Sequence, residues 1–198
     1  GNMREHMEYC QGSIYDMFKE TADKYPNLPA LEFFDVRFTF KEFDKKVNNV
    51  AKALLKLGIV EDESVTVCMP NMPESIFLIY ALNKIGAVCN VIHPLSDEGE
   101  IKNAVELTNS TIIFTTDVSY ATVKGVGIDR IVVCEVRNSM NPILKMAYNL
   151  KSRKQMKYES DTIRWKNIVK DVKETVPTVK RDKNDAAVLI YSGGTTGK

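Results

Sequence analysis

The residues best suited to chemistry in this 198-residue chain stand together in one run, Ser192-Gly193-Gly194-Thr195-Thr196-Gly197-Lys198. Glycines let a backbone turn tightly and bring its N–H groups against an anion with no Cβ in the way. The hydroxyls of Ser192, Thr195 and Thr196 add donors, and Lys198 adds a point charge suited to phosphate. Ahead of them, the apolar stretch Ala186 to Tyr191 reads as a buried strand, so the run is launched from a sheet. Composition alone fits a phosphate grip and a glycine-rich tail equally.

Another phosphate motif has a related form, the G-x-x-x-x-G-K-[ST] loop of nucleotide hydrolases. Counting back from Gly197-Lys198, its first glycine falls on Ser192, so that reading fails at one position. Other reactive side chains are scattered. His93 precedes Pro94 at the end of an apolar run and has no carboxylate or metal partner nearby in sequence, so it is expected to hydrogen-bond a turn. Cys10, Cys68, Cys89 and Cys134 show no C-x-x-C pair and no zinc-type spacing with His6 or His93. The last three sit in apolar runs as small buried hydrophobes. No metal ligands are expected. Met17, Met69 and Met72 are expected to fill the core.

The elements that must position the loop are legible from periodicity. Ile14, Met17, Phe18, Ala22 and Tyr25 recur at helical spacing after Ser13, and Pro26 marks the stop. Ala30 to Phe34 and Val36 to Phe40 predict a hairpin around Asp35. Thr39 with Glu42 makes a capping box for a long helix. Phe43, Val47, Val50, Leu54 and Leu57 form its apolar stripe, while Lys45, Lys46, Asn49 and Lys52 are expected to face water. Gly58 suits its C-terminal cap. Strands are expected over 64–69, 87–92, 111–115 and 130–134, with helices over 74–85, 97–108 and 119–124 between them. That alternation predicts parallel β-α-β units, an α/β class. From 138 to 182 the rhythm breaks into an irregular insertion, with residues 1–12 a tail and 186–198 the strand and its loop.

Composition narrows the partners. Lys and Arg number 27 against 26 Asp and Glu, a formal charge of +1, which gives no case for nucleic acid. Hydrophobic residues at 44% and charged residues at 27% argue for a folded core over disorder. No apolar run reaches a membrane-spanning length of about 18 residues, and the start lacks an apolar signal core. A reduced, cytoplasmic setting is expected. Ile143, Leu144, Ala147 and Leu150 could line one side of a helix, followed by Lys151, Arg153, Lys154 and Lys157. This basic amphipathic stretch, 141–157, is read as a solvated insertion, with a weak membrane-surface contact as the alternative.

Four segments, in order, resemble the AMP-forming adenylating enzymes, which include acyl-CoA synthetases, adenylation domains and luciferases. Phe38-Thr39-Phe40-Lys41-Glu42-Phe43 is similar to their early L-T-Y-x-E-L segment, and Pro70-Asn71-Met72-Pro73-Glu74 to P-N-x-P-E. Leu82 to Pro94, with Gly86-Ala87-Val88 and His93-Pro94, resembles L-K-A-G-A-x-x-x-P-x-N-P. Leu189 to Lys198 resembles Y-[ST]-[SG]-G-T-T-G-x-P-K-G. Gly193 stands where serine is common, and His93 where asparagine is. The resemblance covers about residues 10–135 and 183–198.

It implies part of the large N-terminal domain of a carboxylate–CoA ligase, most like a fatty-acyl-CoA ligase, using ATP, Mg2+ and coenzyme A. The loop Ser192, Gly193, Gly194, Thr195, Thr196, Gly197, Lys198 would then grip the β- and γ-phosphates. In the family the adenine, ribose, magnesium-linked and catalytic-lysine residues follow this loop. No catalytic residue is therefore expected within 1–198, and the chain alone is expected to be inactive. Substrates would be a small-molecule carboxylate, ATP and CoA; a homo-oligomer is compatible with all of this. The rivals are a stand-alone adenylation enzyme loading a carrier protein, a non-catalytic α/β binding module, and, further off, the P-loop hydrolase.

Overall fold

Thr39 closes one strand and opens the longest helix, so the hairpin and the helix share a residue. The computed structural model describes residues 14–139, 143, 146, 156–180 and 188–190. The hairpin is β1 (Pro29–Phe33) with β2 (Val36–Thr39), antiparallel, and the helix is α2 (Phe40–Lys56). Thr39 Oγ1 accepts from the Glu42 N–H at 3.2 Å, while the Thr39 N–H donates to Glu42 Oε1 at 3.1 Å, completing the expected box. Gly58 follows at φ +83°, the left-handed step that ends the helix without Cβ strain. Before the hairpin, α1 (Ile14–Lys24) buries Tyr15, Phe18 and Ala22. Met17 and Tyr25 of the expected stripe are exposed, Met17 at 46%, so the core face of α1 is rotated from the one the spacing suggested.

The remaining elements alternate as the periodicity predicts: β3 (Ser64–Cys68), α3 (Pro73–Lys84), β4 (Val88–Val91), α4 (Glu98–Thr108), β5 (Ile112–Thr116), α5 (Tyr120–Lys124) and β6 (Arg130–Cys134). A 3-10 turn over Val136–Ser139 follows. Two short elements, β7 (Ile163–Arg164) and α6 (Trp165–Ile168), come from within the expected irregular insertion, and β8 (Val188–Ile190) completes the sheet. Among the described residues six strands pair in the order β7-β6-β5-β3-β4-β8, all parallel. β7 was not expected: two residues carry too little pattern to announce a strand.

Burial follows the parallel design. Every residue of β5 is buried, as in a strand covered on both faces. Along β5, Ile112 and Phe114 join the larger core, with α1, α2 and α3, while Ile113 joins a smaller one with Ile101, Ala104 and Val123. In the larger core Phe43 meets Phe18, Phe77 and Tyr80 at ring separations of 4.6–5.2 Å. Met69 and Met72 are buried there as expected. Cys68, Cys89 and Cys134 are buried free thiols. No helix among the described residues is long and apolar enough to cross a membrane.

Two cores on two faces leave the sheet edges at β7 and β8, and these lie at opposite ends. Five inter-strand steps separate them, roughly 24 Å. The chain that leaves α6 must therefore cross the larger-core face before β8 can pair with β4. Residues 169–180 begin that crossing as an irregular strap over α2 and α3.

The candidate active-site edge

In an open parallel sheet ligands lodge beyond the carboxyl ends of the strands, where successive connections leave in opposite directions. Here that switch lies at β3: β4 pairs on one side of it and β5 on the other. Side chains tie the loops leaving this edge together. Thr115 Oγ1 donates to the Cys68 carbonyl at 3.0 Å, joining β5 to β3. Ser119 Oγ donates to the Pro94 carbonyl at 2.8 Å, joining the exits of β5 and β4. Asp117 Oδ1 accepts the Val136 N–H at 3.0 Å, joining β5 to the segment after β6. Glu135 is held by Arg164 and by Arg137, the latter at 3.1 Å. A rim fixed at four points costs little to keep in shape when a ligand arrives.

His93 leaves β4 at the same edge. Its Nδ1 accepts the Leu95 N–H at 3.0 Å, the turn-bonding role its sequence context suggests. Asn90 is fully buried. Its Nδ2 donates to Thr66 Oγ1 at 3.1 Å, Thr108 Oγ1 at 3.3 Å and the Ala104 carbonyl at 3.4 Å. These bonds fasten α4 to β3 and β4.

Next to β4 stands β8, with Cys89, Asn90 and Val91 facing Val188, Leu189 and Ile190. Because the pair is parallel, β8 ends at the edge where His93-Pro94 leaves β4. The site residues read from the sequence, Ser192 to Lys198, follow directly but lie outside the described residues, as do Cys10 and most of 141–157.

What anchors the strap was missed by sequence reasoning. Asn49, expected to face water, is 3% exposed. Its Nδ2 donates to Asp171 Oδ1 at 2.9 Å and its Oδ1 accepts the Val172 N–H at 3.0 Å. Asn48 repeats the device, donating to the Glu174 carbonyl and accepting the Val176 N–H, both at 2.7 Å. Lys52 pairs with Glu174 at 3.3 Å, and the Val179 N–H donates to the Lys84 carbonyl at 2.8 Å. Gly86 permits the last contact: at φ +81°, an added Cβ would stand 2.9 Å from Val179 Cγ1. Adjacent asparagines on a helix otherwise rich in lysine were the available signal.

The family model described as "AMP-binding enzyme" matches residues 18–198. This chain belongs to that family. Among curated members, acetyl-coenzyme A synthetase 1 of Debaryomyces hansenii is 27% identical over 93% of the chain and 28% of its own length. A long-chain-fatty-acid–CoA ligase of Bacillus subtilis is 23% identical over 93% of the chain and 35% of its own length. The chain thus spans about a third or less of these AMP-binding relatives. A solved long-chain-fatty-acid–CoA ligase from Archaeoglobus fulgidus superposes with a TM-score of 0.71 at 22% identity, covering 96% of this chain and 36% of that one. The α/β class expected from the alternation is therefore observed, in the N-terminal domain architecture of the adenylate-forming enzymes that the resemblance implied.

Proposed function

We propose that this chain is the phosphate-gripping part of an AMP-forming carboxylate–CoA ligase. In the reaction a carboxylate oxygen attacks the α-phosphorus of ATP and pyrophosphate leaves, giving an acyl-adenylate. A thiol, that of coenzyme A, then attacks the acyl carbon and AMP leaves. The observation that carries the reading is the parallel seat of β8 beside β4, together with family membership over residues 18–198. A strand so seated ends at the edge where parallel sheets take ligands, and the next residues are Ser192 to Lys198.

In this proposal Gly194 and Gly197 permit close approach of the backbone, Thr195 and Thr196 donate hydroxyls, and Lys198 neutralises the β- and γ-phosphates. Charge stabilisation of this kind is the main lever in phosphoryl chemistry. Magnesium enters as the counter-ion of the nucleotide. A fatty-acyl substrate and a weak membrane-surface contact find support in Ile143 and Met146, both exposed and one helical turn apart. A cytoplasmic setting and homo-oligomer formation complete the proposal.

Carboxylate-dependent exchange of pyrophosphate into ATP, measured with the full-length protein across acids from acetate to long-chain fatty acids, tests it. Exchange with at least one acid, AMP release on adding CoA, and loss of both in Thr196→Ala and Lys198→Ala are expected. The 198-residue chain alone is expected to show none. Release of ADP and phosphate without any acid would sink the reading.

A further inference from the structure

Lys84, the last residue of α3, is 2% exposed, and lysine is almost never so deeply buried unless paired. Its Nζ donates to the Tyr15 hydroxyl at 3.1 Å and lies 4.7 Å from the centre of the Tyr15 ring. That hydroxyl donates to Asp44 Oδ1 at 2.7 Å, and Asp44 Oδ2 accepts from Lys19 at 3.1 Å. Among the described residues Lys84 makes no ion pair, so it reaches the carboxylate only through the tyrosine. Asn83, its neighbour, accepts the Tyr15 N–H through Oδ1 at 2.9 Å. Two adjacent residues of α3 thus hold Tyr15 at both ends, and with it α1.

The rest of the seat of α1 is apolar: Phe18 packs on Phe43 and Tyr80 at ring separations of 4.6 and 5.4 Å. Those contacts are indifferent to pH, whereas the chain through Lys84 is not. An ammonium carries three N–H donors and here finds one oxygen and one ring face. A neutral amine leaves less unmet and carries no charge to desolvate. The groups facing it are Tyr15 and Lys19 of α1 and Asp44 of α2, with Asp16 and Asp23 acting on Tyr15 from α1. The strap brings Val179, whose N–H bonds the Lys84 carbonyl at 2.8 Å and does not titrate. When α1 lifts, Tyr15 leaves with it and water surrounds the nitrogen.

We propose that α1 is a proton-operated latch, loosened on α2 and α3 when Lys84 takes up a proton and tightened when it gives that proton up. Burial holds the Lys84 amine below its ordinary value of 10.5, outweighing the Asp44 carboxylate, which raises it, while Lys19 lowers it further. With α1 open the amine returns to the ordinary value. Between those two values the closed form lacks a proton that the open form holds. Opening then takes up a proton, and its constant falls as pH rises, by at most about tenfold per unit. Below the folded value both forms are charged and the latch is loosest. Lys19 is held above the ordinary lysine value, first by Asp23, and Tyr15 above the ordinary phenol value, first by burial and then by Asp44. Neither changes charge between pH 7 and 9.

The 198-residue chain tests this without ATP or CoA, so the latch and the ligase reading fail separately. With lysines labelled by 13C at Cε, the Lys84 signal, identified by its loss in Lys84→Met, should titrate at lower pH than every other lysine. Tyr15→Phe removes the oxygen partner, keeps the ring, and should push that titration lower still. Amide exchange over residues 18–24, corrected for intrinsic rates, gives the opening constant of α1. From pH 7 to 9 it should fall about threefold or more. In Lys84→Met it should be smaller at pH 7 and flat with pH. Titration of Lys84 together with the other lysines, a flat opening constant in the wild type, or one constant shared by α1 and β5 would each overturn the proposal. The last two outcomes are read on the unaltered chain.

Discussion

At the residue scale the capping box of α2 offers the cleanest account of cause and effect. Glu42's carboxyl is held below its ordinary range, first by the Thr39 backbone N–H and then by the Thr39 hydroxyl. A carboxyl lowered on folding adds stability that is fully present above its unfolded value, near 4.5, and is lost as pH falls through the lower folded value. Urea melts of wild type and Glu42→Gln should therefore differ at neutral pH and converge as pH drops below that range. Thr39→Ala removes the other half of the box and should cost about 1 kcal/mol at neutral pH. A pH-independent gap between wild type and Glu42→Gln would show that the box contributes shape alone.

At the scale of elements two asparagines of α2 anchor the strap. Asn48 and Asn49 each use both ends of the amide, so replacing either leaves one strap N–H without its acceptor. Leaving such a group unsatisfied costs on the order of 1–3 kcal/mol. The double variant Asn48→Ala/Asn49→Ala should release the strap and, through it, the edge strand, while the central strands keep their two-sided burial. Hydrogen exchange should then quicken at Val188–Ile190 and Val172–Val179 and stay unchanged in β5 and β6. Uniform acceleration across the sheet would mean that the asparagines support the whole fold and have no particular hold on β8.

For the whole molecule the parallel sheet with a core on each face governs reactivity as well as stability. Burial pushes the Cys68 thiol up to about 11 and the Cys89 thiol up to about 12. Cys134 is raised further still by burial and by the neighbouring Glu74, Asp117 and Glu135 carboxylates. The reactive species is the thiolate. With Cys10 changed to Ser, the native protein should resist a disulfide exchange reagent at about pH 8 and label at three sites once denatured. Fast labelling of the native state would mean that the sheet opens globally far more often than its packing implies.

The sequence by itself settled what is local: the helices and strands up to β6, the box at Thr39 and Glu42, the turn at Gly58, the α/β class, and the glycine–threonine run. Each of these is written in neighbours within a turn or a strand of one another, where propensity and periodicity act. Only the tertiary structure decided the strand order, which puts β7 and β8 at opposite edges and so requires a strap between them. It also decided that Asn49 is buried and Met17 is not. Both follow from what packs opposite them: Asn49 meets a segment more than 120 residues away, and the face α1 buries is set by α2 and α3. No window of sequence contains both partners of such a contact, so hydrophobic pattern alone assigns these residues to the wrong side.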